Sequence, residues 1–201
     1  MKLIFISGPS GSGKTTLSNQ ILFKNKNGIV LSTDNYYKTG LLSKLLSKIV
    51  QGYFDKSISF NSALFRKDFN KIIRDGILIY ERSYNFKTQK VKNFCKETKN
   101  IEYLIVEGIF AKKFARTLHN NDYSLIELKI NKKECMNRAI KRDLNDRGKD
   151  KINAKRDFLK SWDIYYDKYK NKYIKETINE FIFTKETNID KLLERIFNLN
   201  S

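Results

Sequence analysis

The chain has 201 residues, enough for one α/β domain with a real core, and its 40 Lys and Arg against 22 Asp and Glu give a formal charge of +18. That charge is spread along a chain rich in Lys and Asn and forms no dominant block. It therefore argues against a dedicated nucleic-acid surface, although it would help to attract polyphosphates. The only histidine, His119, sits in a polar Leu-His-Asn-Asn-Asp setting that reads as a solvated loop, which argues against a Ser-His-Asp triad or a His-rich metal site.

Cys95 and Cys135 form no C-x-x-C and read as reduced thiols. No stretch is long enough to span a bilayer, and the N-terminus runs directly into a strand. These features predict a cytoplasmic chain with no membrane partner. The oligomeric state, homo-oligomer included, is left open.

In chain order, the apolar run Lys2-Leu3-Ile4-Phe5-Ile6-Ser7 predicts a buried strand. Gly8-Pro9-Ser10-Gly11-Ser12-Gly13-Lys14-Thr15 follows and matches G-x-x-x-x-G-K-[ST], with Thr16 next and Leu17, Ile21 and Leu22 at helical spacing beyond. Strand, glycine-rich turn and helix start come in the order a phosphate cradle needs. Glycines let backbone N–H groups converge on an anion, and the helix N-terminus adds partial positive charge. Lys14 would reach the outer phosphates, and the Thr15 hydroxyl would take a place on magnesium.

A second strand is predicted over residues 28–32, a short helix over 41–50, an irregular stretch over 52–61 and a helix over 62–74 stopped by Gly76. Residues 77–81 and 88–94 read as a hairpin with its tip at 82–87. A buried strand spans 101–107, a helix 111–118 and a further strand 124–130. Asn131 caps a helix to about residue 146 whose core face would be Met136, Ile140 and Leu144.

After a charged turn at 147–152, a long helix over 153–172 carries Phe158, Trp162, Tyr165, Tyr166, Tyr169 and Tyr173. This stripe is broken by charges at helical spacing and reads as core packing more than base stacking. A last strand over 181–183 and a helix over 189–197 complete the chain. Short buried strands alternating with helices predict a three-layer α/β sandwich with a five-stranded parallel sheet, whose ligands sit at the carboxyl ends of the strands.

Two carboxylates fall at those ends: Asp34 after the second strand and Glu107 closing the third buried one. A carboxylate near a terminal phosphate can accept the proton of an attacking hydroxyl or hold magnesium. Asp34 is expected to act as the base, with a place near the metal, and Glu107 to bind the metal with Thr15. Arg138 and Arg142 share a helical face, and Arg147 and Lys149 follow in the turn. This is the composition of a lid that would close over a transferring phosphoryl group.

With these residues collected, the chain resembles the uridine kinase and phosphoribulokinase family of P-loop kinases over nearly its whole length. The phosphate loop matches, and Leu31-Ser32-Thr33-Asp34-Asn35-Tyr36-Tyr37-Lys38 is similar to the family's segment with the catalytic aspartate. Ile105-Val106-Glu107-Gly108-Ile109 is similar to its glutamate-glycine element, and Arg142-Asp143 with Arg147-Gly148-Lys149-Asp150 to its lid. Tyr53-Phe54-Asp55 resembles the stretch whose aspartate holds ribose hydroxyls, with Lys56-Ser57 in place of the usual His-Pro. Tyr84-Asn85-Phe86-Lys87-Thr88-Gln89 resembles the base-contacting segment, with Gln89 in place of a histidine.

The resemblance implies one P-loop nucleoside kinase domain over residues 1–201, with an acceptor-binding insertion at about 77–94 and a lid at about 138–156. It implies ATP as donor, Mg2+, and a small nucleoside acceptor such as uridine or cytidine, held by Tyr37, Asp55, Tyr84, Phe86, Gln89, Arg138 and Lys149. Lys14, Asp34, Arg142 and Arg147 would carry the chemistry.

Other readings are weaker on the residues. Asn131-Lys132-Lys133-Glu134 lacks the aspartate of the guanine-reading N-K-x-D, and no D-x-x-G follows the strand ending at Glu107, which argues against a GTPase. A P-loop binding protein without turnover is opposed only by Asp34 and Glu107. Other hydroxyl acceptors, such as nicotinamide riboside, pantothenate or a sugar phosphate, are the alternatives within kinases.

Overall fold

The computed structural model describes residues 1–50, 52–118, 122–170 and 180–198, with the side chains of 168–170 left aside. His119 and Tyr173, and the side chain of Tyr169, lie outside the described residues.

The central sheet is built from β1 (Lys2–Ser7), β2 (Gly28–Ser32), β5 (Tyr103–Glu107), β6 (Ser124–Leu128) and β7 (Glu180–Phe183) in the order β2-β5-β1-β6-β7. Every pairing in it is parallel. Strands covered on both faces need apolar residues at every position, and side chains that alternate between faces feed two separate cores. Phe5, Leu31, Leu104, Val106 and Leu125 face α3 (Ser62–Asp75) and α4 (Ala111–Ala115), meeting Phe65, Phe69, Ile72 and Phe114. Ile4, Ile6, Ile105, Ile126 and Leu128 face the other way. They meet Leu17 and Ile21 of α1 (Lys14–Lys24), Cys135 and Ala139 of α5 (Lys132–Arg147), and Leu192, Leu193 and Ile196 of α7 (Ile189–Asn198). The result is the expected three-layer α/β sandwich.

The hairpin differs from its expected limits. Its strands β3 (Leu78–Asn85) and β4 (Lys90–Thr98) are longer, with Arg82 opposite Asn93 and Tyr84 opposite Val91, so the turn falls at 86–89 and not 82–87. Gln89 takes a left-handed backbone (φ 52°), and the Asn85 side chain accepts from the Thr88 amide to close the turn.

The buried face of α5 also differs: it is Cys135, Ala139 and Asp143, while Leu144 is 40% exposed and Met136 and Ile140 are only half-buried. The cause is the phosphate loop. A Cβ at Gly11 would lie 2.1 Å from the Cys135 carbonyl oxygen, so the helix approaches too closely to leave room for long side chains. Asn131 caps α5 as expected, accepting from the Lys133 amide at 2.9 Å.

The long helix starts earlier, at Lys151, because Asp150 caps it by accepting from the Asn153 amide at 2.9 Å. This helix, α6 (Lys151–Ile164), runs into a π-helical turn over Tyr165–Lys170. Phe158, Ile164 and Tyr165 are buried in the two cores, and Trp162 and Tyr166 pack against them, so the aromatic stripe is core. A nine-residue amphipathic helix, α2 (Leu41–Ile49), lies between β2 and α3 in the chain. Among the described residues no helix is long and apolar enough to cross a membrane.

Candidate active site

Gly8 to Thr16 form the turn between β1 and the first turn of α1. Gly13 (φ 98°) caps the helix, so the backbone N–H groups that open it point into the turn. The Lys14 ammonium lies 3.0 Å from both the Gly8 and Pro9 carbonyls, inside the curve of the loop. Burial pulls its pKa down, and Glu107 and Asp34 oppose that pull. The Ser12 hydroxyl is buried with no partner among the described residues, which suits a loop that receives an oxygen-rich anion.

The two carboxylates come from neighbouring strands. In register, Ser32 of β2 pairs with Glu107 of β5, and Ile6 of β1 pairs with Glu107 on the other side. Glu107 is therefore beside the phosphate loop by topology. Asp34 sits two residues past β2 on a 3-10 turn (Thr33–Tyr36) that Ser32 caps, accepting from the Asp34 amide at 3.3 Å.

Gly108 lets the end of β5 approach the turn that carries Asp34. A Cβ there would lie 1.8 Å from the Thr33 hydroxyl oxygen, and its backbone (φ 134°) is closed to other residues. Burial, and next the charge of Asp34, raise the Glu107 pKa, while Lys14, Ser32 and Thr15 act the other way. The Thr15 hydroxyl lies 3.5 Å from Glu107 Oε1. One hydroxyl and two buried-edge carboxylates, with one of them held up in pKa by burial and like charge, form a donor set that fits magnesium. That ion keeps several waters and takes few protein ligands. Among the described residues there is no cluster of three or more His, Cys, Asp or Glu that could hold a metal.

The basic residues form a network around Asp143, a residue whose part sequence reading understated. Its carboxylate accepts from Arg142 (2.8 Å) and Lys149 (3.1 Å), with Arg147 at 3.4 Å. Burial pushes the Asp143 pKa up, but Arg147, Arg142 and Lys149 together hold it below its ordinary value. Arg142 also donates to the Ser10 hydroxyl at 3.2 Å, tying the network to the phosphate loop. The Arg147 guanidinium lies 3.7 Å from the centre of the Phe86 ring and so joins it to the hairpin turn. Arg138 stands apart. It pairs with Glu134 and comes near Gly13, and it is not on the cavity wall.

A cavity of about 590 Å³ joins these groups. At one end are Ser10, Lys14, Asp34, Arg142 and Arg147; at the other are Tyr37, Phe54, Asp55, Phe86 and Gln89. The Tyr37 hydroxyl donates to Asp34 Oδ1 at 3.4 Å, and burial, then Asp34 and Asp55, push its pKa well up. Burial raises Asp55 to about 6, against a hydrogen bond from Ser161. Gln89 exchanges hydrogen bonds with Ser47 of α2, its amide donating at 3.1 Å. Tyr84 is not on the wall. It is buried behind Tyr37, Phe54 and Phe86, edge-on to each, and its amide donates to the Asn35 side chain. Sequence reading missed the wall contributed by α6, including Asp157 and Ser161, and that of Ser47. A helix face aimed at a cavity carries no spacing signal of its own.

A parallel sheet with a phosphate loop after its central strand, two acids on adjacent strand ends and a cationic helix end over them defines a P-loop phosphotransferase. Comparisons agree. The chain matches the Phosphoribulokinase / Uridine kinase family over residues 3–189, and it belongs to that family.

It is 33% identical to a uridine kinase of Borrelia hermsii over 156 residues, 74% of this chain and 70% of that protein. It is 30% identical to the uridine kinase of Ureaplasma parvum over 151 residues, 73% of this chain and 71% of that protein. Among solved structures it resembles one described as a possible uridine kinase from Bacillus stearothermophilus, with a TM-score of 0.59 and 16% identity over 90% of this chain and 88% of that one. At that identity the likeness speaks for the fold alone. The chain is thus a kinase of this family.

Proposed function

We propose that the protein transfers the γ-phosphoryl group of ATP to the 5′-hydroxyl of a pyrimidine ribonucleoside, uridine or cytidine, as in pyrimidine salvage. The observation that supports this most is a continuous cavity lined by Lys14, Asp34, Asp55, Phe86 and Gln89. It offers a carboxylate for vicinal ribose hydroxyls, a ring for a base and an amide for its edge. The names of the relatives point the same way.

In this reading Asp34 accepts the proton of the 5′-hydroxyl as its oxygen attacks the γ-phosphorus, and the bond to the β–γ bridging oxygen breaks. Lys14, Arg142 and Arg147 offset the negative charge spread over the transferring group. Tyr37 holds Asp34 through its hydroxyl, and Asp143 keeps Arg142, Arg147 and Lys149 together over the cavity. Gly8, Ser10, Gly11, Ser12, Gly13 and Thr16 shape the donor site. Magnesium, held by Thr15 and Glu107 with Asp34 near, would neutralise phosphate charge. Phe86 stacks the base and Gln89 reads its edge, with Tyr84 supporting Phe86 from behind. Lys149 faces the acceptor from the lid, and Arg138 lies on the donor side.

Lys48, Arg156 and Lys160 also line the cavity, which favours as a second reading an acceptor that brings its own anionic group, such as a sugar phosphate. A phosphotransfer assay over uridine, cytidine, other nucleosides, nicotinamide riboside and sugar phosphates separates the two. ADP formation that depends on uridine or cytidine is expected. Formation that depends only on an anionic acceptor would replace the first reading with the second.

A further inference from the structure

The loop that carries Asp55 does not stand alone. It lies flush on α6: a Cβ at Gly52 would be 2.6 Å from Ile164 Cδ1 and 3.3 Å from Lys160 Cγ, so loop and helix meet without a gap. The helix is fixed from both sides, with Phe158 in one core and Ile164 in the other. At this contact the Ser161 hydroxyl donates to Asp55 Oδ1 at 2.7 Å, and Ser161 is itself buried. Both residues line the cavity.

We infer that Ser161 is a positioning residue for the acceptor. Its hydrogen bond locks the Asp55 carboxylate in the orientation that receives the acceptor's vicinal hydroxyls, so α6 sets acceptor affinity. A short aspartate side chain has two torsions, and a strong donor at one oxygen fixes the plane of both. The charges of Arg147, Lys149 and Asp34 also act on Asp55, and the short contact with Ser161 holds one of its oxygens against the α6 wall. The chain spacing between Asp55 and Ser161 gives no hint of the pair; only the fold brings them together. The inference rests on the reading of the acceptor as a ribonucleoside held by Asp55.

The test is steady-state kinetics of the full chain with uridine and with 2′,3′-dideoxyuridine as acceptors. Ser161→Ala should raise the KM for uridine about tenfold, the loss of one hydrogen bond to a charged group, with kcat and the KM for ATP little changed. With dideoxyuridine, which has no hydroxyls for Asp55 to hold, the same substitution should change KM by less than about twofold. Ser161→Thr, which keeps the donor, should restore most of the uridine affinity. If Ser161→Ala does not fold, Ser161→Cys, of similar size and a weak donor, carries the same comparison. Uridine turnover with an unchanged KM in Ser161→Ala, or an equal penalty on both acceptors, overturns the inference alone. No phosphorylation of any nucleoside by the unmodified chain overturns the inference together with the reading beneath it.

Discussion

The two ends of the cavity are built by different means. At the phosphate end, Gly8 to Thr16, Asp34 and Glu107 hang from the carboxyl ends of three adjacent parallel strands. Sheet register and two close approaches, at Gly11 and Gly108, fix their spacing. At the acceptor end, Tyr37 follows one 3-10 turn, Asp55 ends another (Tyr53–Asp55), Phe86 and Gln89 come from the hairpin turn, and Ser161 from α6. They are held by ring contacts and side-chain hydrogen bonds. A site hung on a sheet tolerates little change in geometry. A site assembled from loops can change its ligand without disturbing the chemistry beside it.

That contrast sets the scale of the expected effects. Lys14→Met should lower turnover about 10³-fold, since it removes a preorganised cation from the transferring group, and isotopic phosphotransfer would measure it. Asp34→Asn should lower turnover on the order of a hundredfold or more while ATP still binds by equilibrium titration; near-normal turnover would remove Asp34 from the base role.

A change in pH should act on the acceptor end. The Asp55 carboxyl, raised by burial to about 6, loses its charge as pH falls below that value. The KM for nucleoside should then rise about tenfold per pH unit below about 6, with the KM for ATP following a different curve. The sign for stability is the opposite of the usual carboxylate case. The folded chain binds this proton more tightly than the unfolded one, so Asp55 costs stability as pH rises from about 4 to about 6 and the cost persists above. Asp55→Asn should therefore raise Tm at pH 7 while it weakens acceptor binding. Smallest of all, Arg147→Lys should cost about threefold in kcat/KM through the lost flat contact with Phe86, read against Phe86→Leu in a double-mutant cycle.

The same contrast explains what the sequence made legible. The phosphate loop, Asp34 and Glu107 could be read because strand, turn and helix follow each other within a few residues, and local order forces their geometry. The sandwich and its parallel sheet could be read from buried runs alternating with helices. The face of α5 could not, because the deciding neighbour is a backbone carbonyl contact with Gly11, which admits Cys135 and Ala139 but no longer side chain. Likewise the hairpin turn was displaced, since Arg82 and Ser83 read as turn residues but lie in the ladder. Tyr84 lies behind Phe86 because Tyr84 is still in the ladder, opposite Val91, while Phe86 is already in the turn. Asp143 pairs with Arg142, Arg147 and Lys149, all within six residues of it, so that cluster was within reach of the sequence. Ser161 meets Asp55 only through the fold, and spacing along the chain holds no trace of that pair.

The division of labour between the two ends is tested most directly by the KM values of Asp55→Ala for both substrates, measured in one experiment. The account predicts that the KM for uridine rises at least about tenfold while the KM for ATP stays near that of the unmodified chain. A parallel rise in both would contradict it, because Asp55 would then belong to the site as a whole and not to the acceptor.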